Sequence, residues 1–131
     1  MKANKLVIKI NKSVSEVFKF TTTPPNSVKW IPGVVSEETN DWPIKKGTIY
    51  KLKDESGKYS EVIVLALKVG KSIEWIAKDG NYHCQYNYKA IDKNHSILEY
   101  LEWVDSGEIE SPFTQDVLEK LKSVIEHTKL I

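Results

Sequence analysis

The chain has 131 residues, of which 40% are hydrophobic and 28% charged, the proportions of one ordinary folded domain able to bury about two-thirds of its unfolded surface. Its 19 basic and 18 acidic side chains leave a formal charge of +1, without the basic excess that nucleic-acid binding imprints on a sequence. All 19 basic residues are Lys, so there is no planar guanidinium fork for bidentate capture of phosphate or carboxylate, and strongly anionic ligands are disfavoured.

The first element is a strand in which Leu6, Ile8 and Ile10 share one face. The Lys-interleaved stretch Met1 to Asn11 has neither the apolar core nor the small-residue site of a signal peptide. No apolar run approaches the roughly 20 residues of a membrane span. The expectation is a soluble, cytoplasmic protein, monomeric or homodimeric. Ser13 and Glu16 have the spacing of a capping box and start a helix that carries Val14, Val17, Phe18 and Thr21 on one side. Pro24 disfavours helical geometry at Thr23 and stops it. A second short helix is expected around Val28, Trp30 and Ile31, ending at Pro32-Gly33.

From Val34 to Val104 the pattern is strand and turn. Gly47 opens a strand through Tyr50 and Leu52, Ser56-Gly57 turns it, and a strand rich in Val, Ile and Leu runs from Tyr59 to Val69. Gly70-Lys71 leads into Ser72 to Lys78, Asp79-Gly80 is a strong hairpin signal, and two further strands, Tyr82 to Ile91 and Ser96 to Val104, meet at Lys93-Asn94. Ser111 and Pro112 then suit the cap and first position of a helix whose stripe is Phe113, Val117, Leu118, Leu121, Val124, Ile125 and Thr128. About eighteen residues would make a rod of roughly 27 Å that must pack on the sheet.

Strand, two short helices, about six antiparallel strands and a long helix is an order that resembles the helix-grip fold of the START-like superfamily, in its polyketide cyclase/dehydrase and lipid-transport branch. The resemblance spans nearly the whole chain. It is carried by Val14, Val17 and Phe18, by Trp30-Ile31-Pro32-Gly33-Val34, and by Gly47 at the next strand. Two positions depart from the family pattern: Asn94-His95-Ser96 stands where a Gly-Gly-Thr turn is common, and Pro24-Pro25 where Asp-Pro often opens the second helix. The resemblance implies an α+β fold of about seven strands, curved and antiparallel, wrapped around the C-terminal helix as a single domain, with a cavity between sheet and helix.

Taking each hairpin as a two-residue turn sets the faces. At Asp79-Gly80, Trp75 opposes Cys84 and Ile73 opposes Tyr86. At Lys93-Asn94, Cys84 opposes Trp103, Tyr86 opposes Leu101, and Tyr88 opposes Glu99. His83, Gln85, Asn87 and Lys89 then form a polar, solvated face. At Ser56-Gly57, Tyr50 falls beside Ile63, which brings Leu65 and Leu67 to the same side. A three-residue loop or bulge near Gly70 keeps Leu67 inward, because an unpaired Lys68 would be costly to bury. The expected ligand wall is therefore Tyr50, Ile63, Leu65, Ile73, Trp75, Cys84, Tyr86, Tyr88, Glu99, Leu101 and Trp103, facing Leu121, Val124 and Ile125.

Glu99 is the candidate catalytic or anchoring carboxylate, since burial without a cation would raise its pKa; the alternative is a wet rim position paired with a lysine. Glu61 is a lesser rim candidate and Trp42 a candidate gate. Tyr86 and Tyr88 could donate hydrogen bonds to a ligand. Cys84 reads as an inert buried thiol, and His83, His95 and His127 are too scattered for a metal site. No phosphate loop, nucleophile elbow or zinc motif occurs, so neither cofactor nor metal is expected. The leading reading is binding of a small apolar or aromatic molecule, lipid-like or polyketide-like. The alternatives are a cyclase/dehydrase-type enzyme using Glu99 and a tyrosine as acid and base, and a protein-interaction module.

Overall fold

In the computed structural model, which describes residues 1–128, every strand pairs antiparallel with its neighbours in one seven-stranded sheet of order β1-β7-β6-β5-β4-β3-β2. The strands are β1 (Ala3–Ile10), β2 (Val34–Thr39), β3 (Ile49–Asp54), β4 (Tyr59–Lys68), β5 (Ser72–Ala77), β6 (Tyr82–Asp92) and β7 (His95–Val104). Helix α1 (Val14–Thr22) and a 3₁₀ turn (Asn26–Lys29) carry the chain from one edge of the sheet to the other, and helix α2 (Gln115–Glu126) follows β7. The sheet curls around this helical layer: the fold is helix-grip, α+β.

The local signals explain the helices in part. Glu16 N–H donates to Ser13 Oγ at 3.1 Å, and the Ser13 hydroxyl returns a bond to Glu16 Oε1 at 3.0 Å, which fixes the start of α1. The second helix is shorter than expected: the 3₁₀ turn ends at Lys29, so Trp30 lies beyond it and is buried instead. Helix α2 is also shorter, 12 residues or about 18 Å, because Ser111 takes a left-handed φ of 49° and Thr114 becomes the cap. Phe113 thus belongs to the lead-in segment. Helix α2 buries Leu118, Leu121 and Ile125, and it covers the edge strand β1. Gln115 Nε2 donates to the Val7 carbonyl and Lys122 Nζ to the Lys9 carbonyl, both at 3.0 Å, so that edge cannot pair with another chain there.

Three hairpins decide the faces. The pairs expected across β5 and β6 are present, Trp75 opposite Cys84 and Ile73 opposite Tyr86. At the β3–β4 reversal, Gly57 takes φ 87° and its N–H donates to the Asp54 carbonyl, which makes a three-residue loop where a two-residue one was expected. Tyr50 consequently opposes Val62, not Ile63. Ile63 and Leu65 turn outward, and Leu65 lies at the bulge between Val64 and Ala66 that returns Leu67 opposite Ile73. At the β6–β7 reversal the two-residue turn is present, Asp92 opposite His95, but β6 carries one extra residue between Ala90 and Asp92. Neither Lys93 nor Asn94 has positive φ, so their turn lacks the twist that matches two strands, and the bulge supplies it. Beyond the bulge Tyr86 opposes Tyr100, Tyr88 opposes Leu98, and Cys84 opposes Glu102.

This slip corrects the expected wall: Glu99, Leu101 and Trp103 stand on the outer face, and Leu98, Tyr100 and Glu102 take the inner one. The alternatives separate by mutation. Leu98→Ala should cost about 2–5 kcal/mol in urea unfolding, and Ile97→Ala less than half as much. The opposite ranking would contradict the observed register.

Candidate functional site

Even-numbered residues of β6 and β7, odd ones of β5, and both Tyr50 and Val64 make the concave face, which carries the rings of Tyr50, Trp75, Tyr82, Tyr86, Tyr88 and Tyr100. Trp75 meets Tyr50 and Tyr86 edge-on, with centroids 5.6 and 4.8 Å away. Tyr86 leans on Tyr100 at 5.7 Å, and Tyr100 stacks flat on Phe113 at 4.7 Å. Edge and face contacts of this kind satisfy the ring quadrupoles but leave gaps that close packing of aliphatic chains would fill.

The gap is a cavity of about 200 Å³. Its floor is the sheet, with Leu52 of β3, Ser60 and Val62 of β4, Trp75 of β5, Tyr82, Cys84 and Tyr86 of β6, and Tyr100 of β7. Its roof is Thr21 of α1, Ser27 of the 3₁₀ turn, Ile31 and Phe113, and Glu37 of β2 stands in the wall. Helix α2 itself does not line it: Leu121 and Ile125 are fully buried core, as is Ile73. Tyr50 and Tyr88 are core as well, their hydroxyls committed to the Thr22 carbonyl and to Thr21 Oγ1, each at 2.6 Å. Of the expected wall, Trp75, Cys84 and Tyr86 reach the cavity.

Two inward carboxylates matter that the sequence reading passed over, one buried and one half-buried. Glu102 is 2% exposed and fully engaged: its oxygens accept from Tyr82 Oη at 2.7 Å, from Asn4 Nδ2 at 2.9 Å and from the Phe113 N–H at 2.9 Å. It ties β1, β6 and the lead-in to α2 together. Tyr82 and Tyr100 belong to the even-numbered series on their strands, so alternation could have found them once the register was right. Glu37 is different. Among the described residues its oxygens accept only from Ser27, from the backbone N–H at 3.1 Å and from Oγ at 2.6 Å, and it lines the cavity. Burial raises its pKa above the ordinary carboxylate value, and the Ser27 bonds oppose that rise. Nothing in Ser36-Glu37-Glu38-Thr39 signals which glutamate turns inward, since β2 has a bulge between Val34 and Ser36.

Other candidates lie elsewhere. Glu99 is on the convex side, accepting from Asn87 Nδ2 at 2.9 Å with Lys5 Nζ at 3.3 Å; the Asn87 bond first, then Lys5, hold its pKa below the usual range. Glu61 pairs with Lys78 at 3.7 Å, and Trp42 is 57% exposed and outside the cavity lining. Trp103 stacks on His83 on the outer face, centroids 4.9 Å apart and planes 4° from parallel, with His83 Nε2 3.1 Å from Asp105. Burial, then the nearby Glu102 charge, push the Cys84 thiol well up, the opposite of what a nucleophile needs. Among the described residues no group of three or more His, Cys, Asp or Glu is placed to hold a metal ion, and no helix is long and apolar enough to cross a membrane.

No family model matches the chain, and no curated protein matches it either. Solved structures do. The protein XoxI from Bacillus cereus superposes with a TM-score of 0.76 at 14% identity, over 97% of each chain. Norcoclaurine synthase from Thalictrum flavum, in complex with dopamine and hydroxybenzaldehyde, gives 0.68 at 14% identity over 98% of this chain and 89% of its own. Ara h 8.0201 gives 0.66 at 16% identity over 96% of this chain and 98% of its own. At such identities the likeness is one of fold: the chain shares the helix-grip architecture of these proteins.

Proposed function

We propose that the protein binds one small apolar or aromatic molecule in the cavity under the 3₁₀ turn and Phe113. The observation that carries this reading is a space of about 200 Å³ whose exposed lining is mostly apolar, with Trp75, Tyr86, Tyr100 and Phe113 beside Ile31, Leu52 and Val62. An engineered protein cavity of about 150 Å³ takes up benzene. The volume here therefore suits a single ring with a short arm and is small for a sterol, a long acyl chain or a folded polyketide. A lipid-like or polyketide-like guest would need the cavity to widen. The similarly folded synthase, in complex with two single-ring aromatic compounds, supports the same size class.

The acid–base alternative loses the carboxylate it was built on, because Glu99 lies outside the cavity in an ion pair with Lys5. Binding is the reading the geometry favours.

Three measurements follow. Saturation with a single-ring compound such as ethylbenzene, at a hundredfold excess over Kd, should stabilise the fold by about 2.7 kcal/mol, roughly 6–12 °C in Tm; cholesterol and palmitate should give little. A flat response to every single-ring compound would overturn the reading. Val62→Trp fills the cavity from β4 and should abolish the shift while circular dichroism stays native; a retained shift would place the guest elsewhere. Glu99→Gln should leave ligand affinity within about twofold and cost no more than about 1 kcal/mol at neutral pH, as exposed pairs do. Because the folded-state pKa of Glu99 is depressed, its contribution is present above the unfolded carboxylate value and vanishes as pH falls through the folded one. A difference that instead grew on acidification would contradict its pairing with Asn87 and Lys5.

A further inference from the structure

The charge pattern of the cavity, taken together with the binding reading above on which this step rests, narrows the guest further. Among the described residues that line it, Glu37 is the only acidic side chain, and no Lys or His is present. The lysines that flank Leu52, the cross-strand partner of Glu37, are Lys51 and Lys53 on β3, and both lie over the exposed ring of Tyr59, with Nζ 4.5 and 5.7 Å from its centroid. Among the described residues Glu37 Oε1 and Oε2 each accept one bond, both from Ser27. A carboxylate has roughly four acceptor sites, so half of its capacity is left for a guest. The neighbouring Glu102 lacks this freedom, with three donors already in place.

We infer that the cavity selects a small ring compound bearing a protonated amine, with the ammonium group held by Glu37 and the ring lodged against Trp75, Tyr86, Tyr100 and Phe113. An ammonium entering an apolar site must regain what it loses in hydration, and a partly buried carboxylate supplies that as a charge-assisted hydrogen bond. The faces of the surrounding aromatic rings add cation–π attraction and disfavour anions. The cost runs the other way for a carboxylate-bearing guest, which would meet Glu37 with no cation to offset the repulsion. Burial raises the pKa of Glu37, and among the described residues that line the cavity no lysine or histidine offsets it; an ammonium group held there would.

The test uses three probes of one shape, benzylamine, ethylbenzene and phenylacetate, titrated by calorimetry at pH 7 into the intact protein and into Glu37→Gln. The inference predicts that wild type binds benzylamine at least tenfold more tightly than ethylbenzene, and phenylacetate least. In Glu37→Gln benzylamine should lose tenfold or more while ethylbenzene is unchanged, which also shows that the variant is folded with its cavity intact. Equal affinity for benzylamine and ethylbenzene in wild type would overturn the inference and leave the binding reading standing, as would an amine preference that survives in Glu37→Gln. Failure of all three probes to bind wild type would remove both. The wild-type comparison decides the matter even if the variant does not fold.

Discussion

One residue too many in β6 governs which side of β7 is packed. The pair Asp92 and His95 closes a two-residue turn whose negative φ values do not match strand twist, and the strand absorbs the mismatch between Ala90 and Asp92. Asp92 anchors the turn by accepting from the Asn94 N–H at 2.8 Å and by lying 2.7 Å from His95 Nδ1. Strand side chains have a period of two, so this single residue exchanges the whole inner and outer sets of β7. Tyr100 comes to lean on Tyr86 and to stack on Phe113, and Glu102 comes within reach of Asn4, Tyr82 and the Phe113 N–H. With the other parity, Trp103 and Glu99 would face the helices and no carboxylate would tie the lead-in of α2 to the sheet.

The cavity follows from what these rings cannot do. Tyr50 and Tyr88 spend their hydroxyls on α1, which fixes one end of the concave face as solid core. At the other end Tyr82 is bonded to Glu102, and Trp75, Tyr86 and Tyr100 meet at angles that leave a space. The short α2 matters here. It starts at Gln115 and fills the core with Leu118, Leu121 and Ile125, and only Phe113 from its lead-in reaches the roof. Polar chemistry in the chamber then rests on Glu37, held by one serine from the 3₁₀ turn. The proposed recognition of a compact guest rests on this arrangement, with the ring wall for the apolar part and Glu37 for a polar one.

Much of the architecture was legible from residue patterns. Leu6, Ile8 and Ile10 gave β1 its face, Ser13 and Glu16 the start of α1, and Asp79-Gly80 the pairing of Trp75 with Cys84. The register errors came from single added residues, one in a turn and one in a strand. Gly57 builds a three-residue loop and moves Ile63 outward, and the bulge before Asp92 moves Glu99, Leu101 and Trp103 outward. Periodicity could not catch the second slip, because Ile97, Leu101 and Trp103 look as fit for a core as Leu98 and Tyr100 do. Glu37 was illegible for another reason: its strand is short, bulged and polar, and only its contact with Ser27, ten positions earlier, draws it inward.

The most direct check of this account is the nuclear Overhauser pattern across the last hairpin. The register predicts ring-to-ring contacts of Tyr86 with Tyr100, and of Tyr100 with Phe113, with His83 and Trp103 giving a separate set on the outer face. Contacts of Tyr86 with Leu101 or of Cys84 with Trp103 on the helix side would contradict it, and the aromatic chamber described here would not exist.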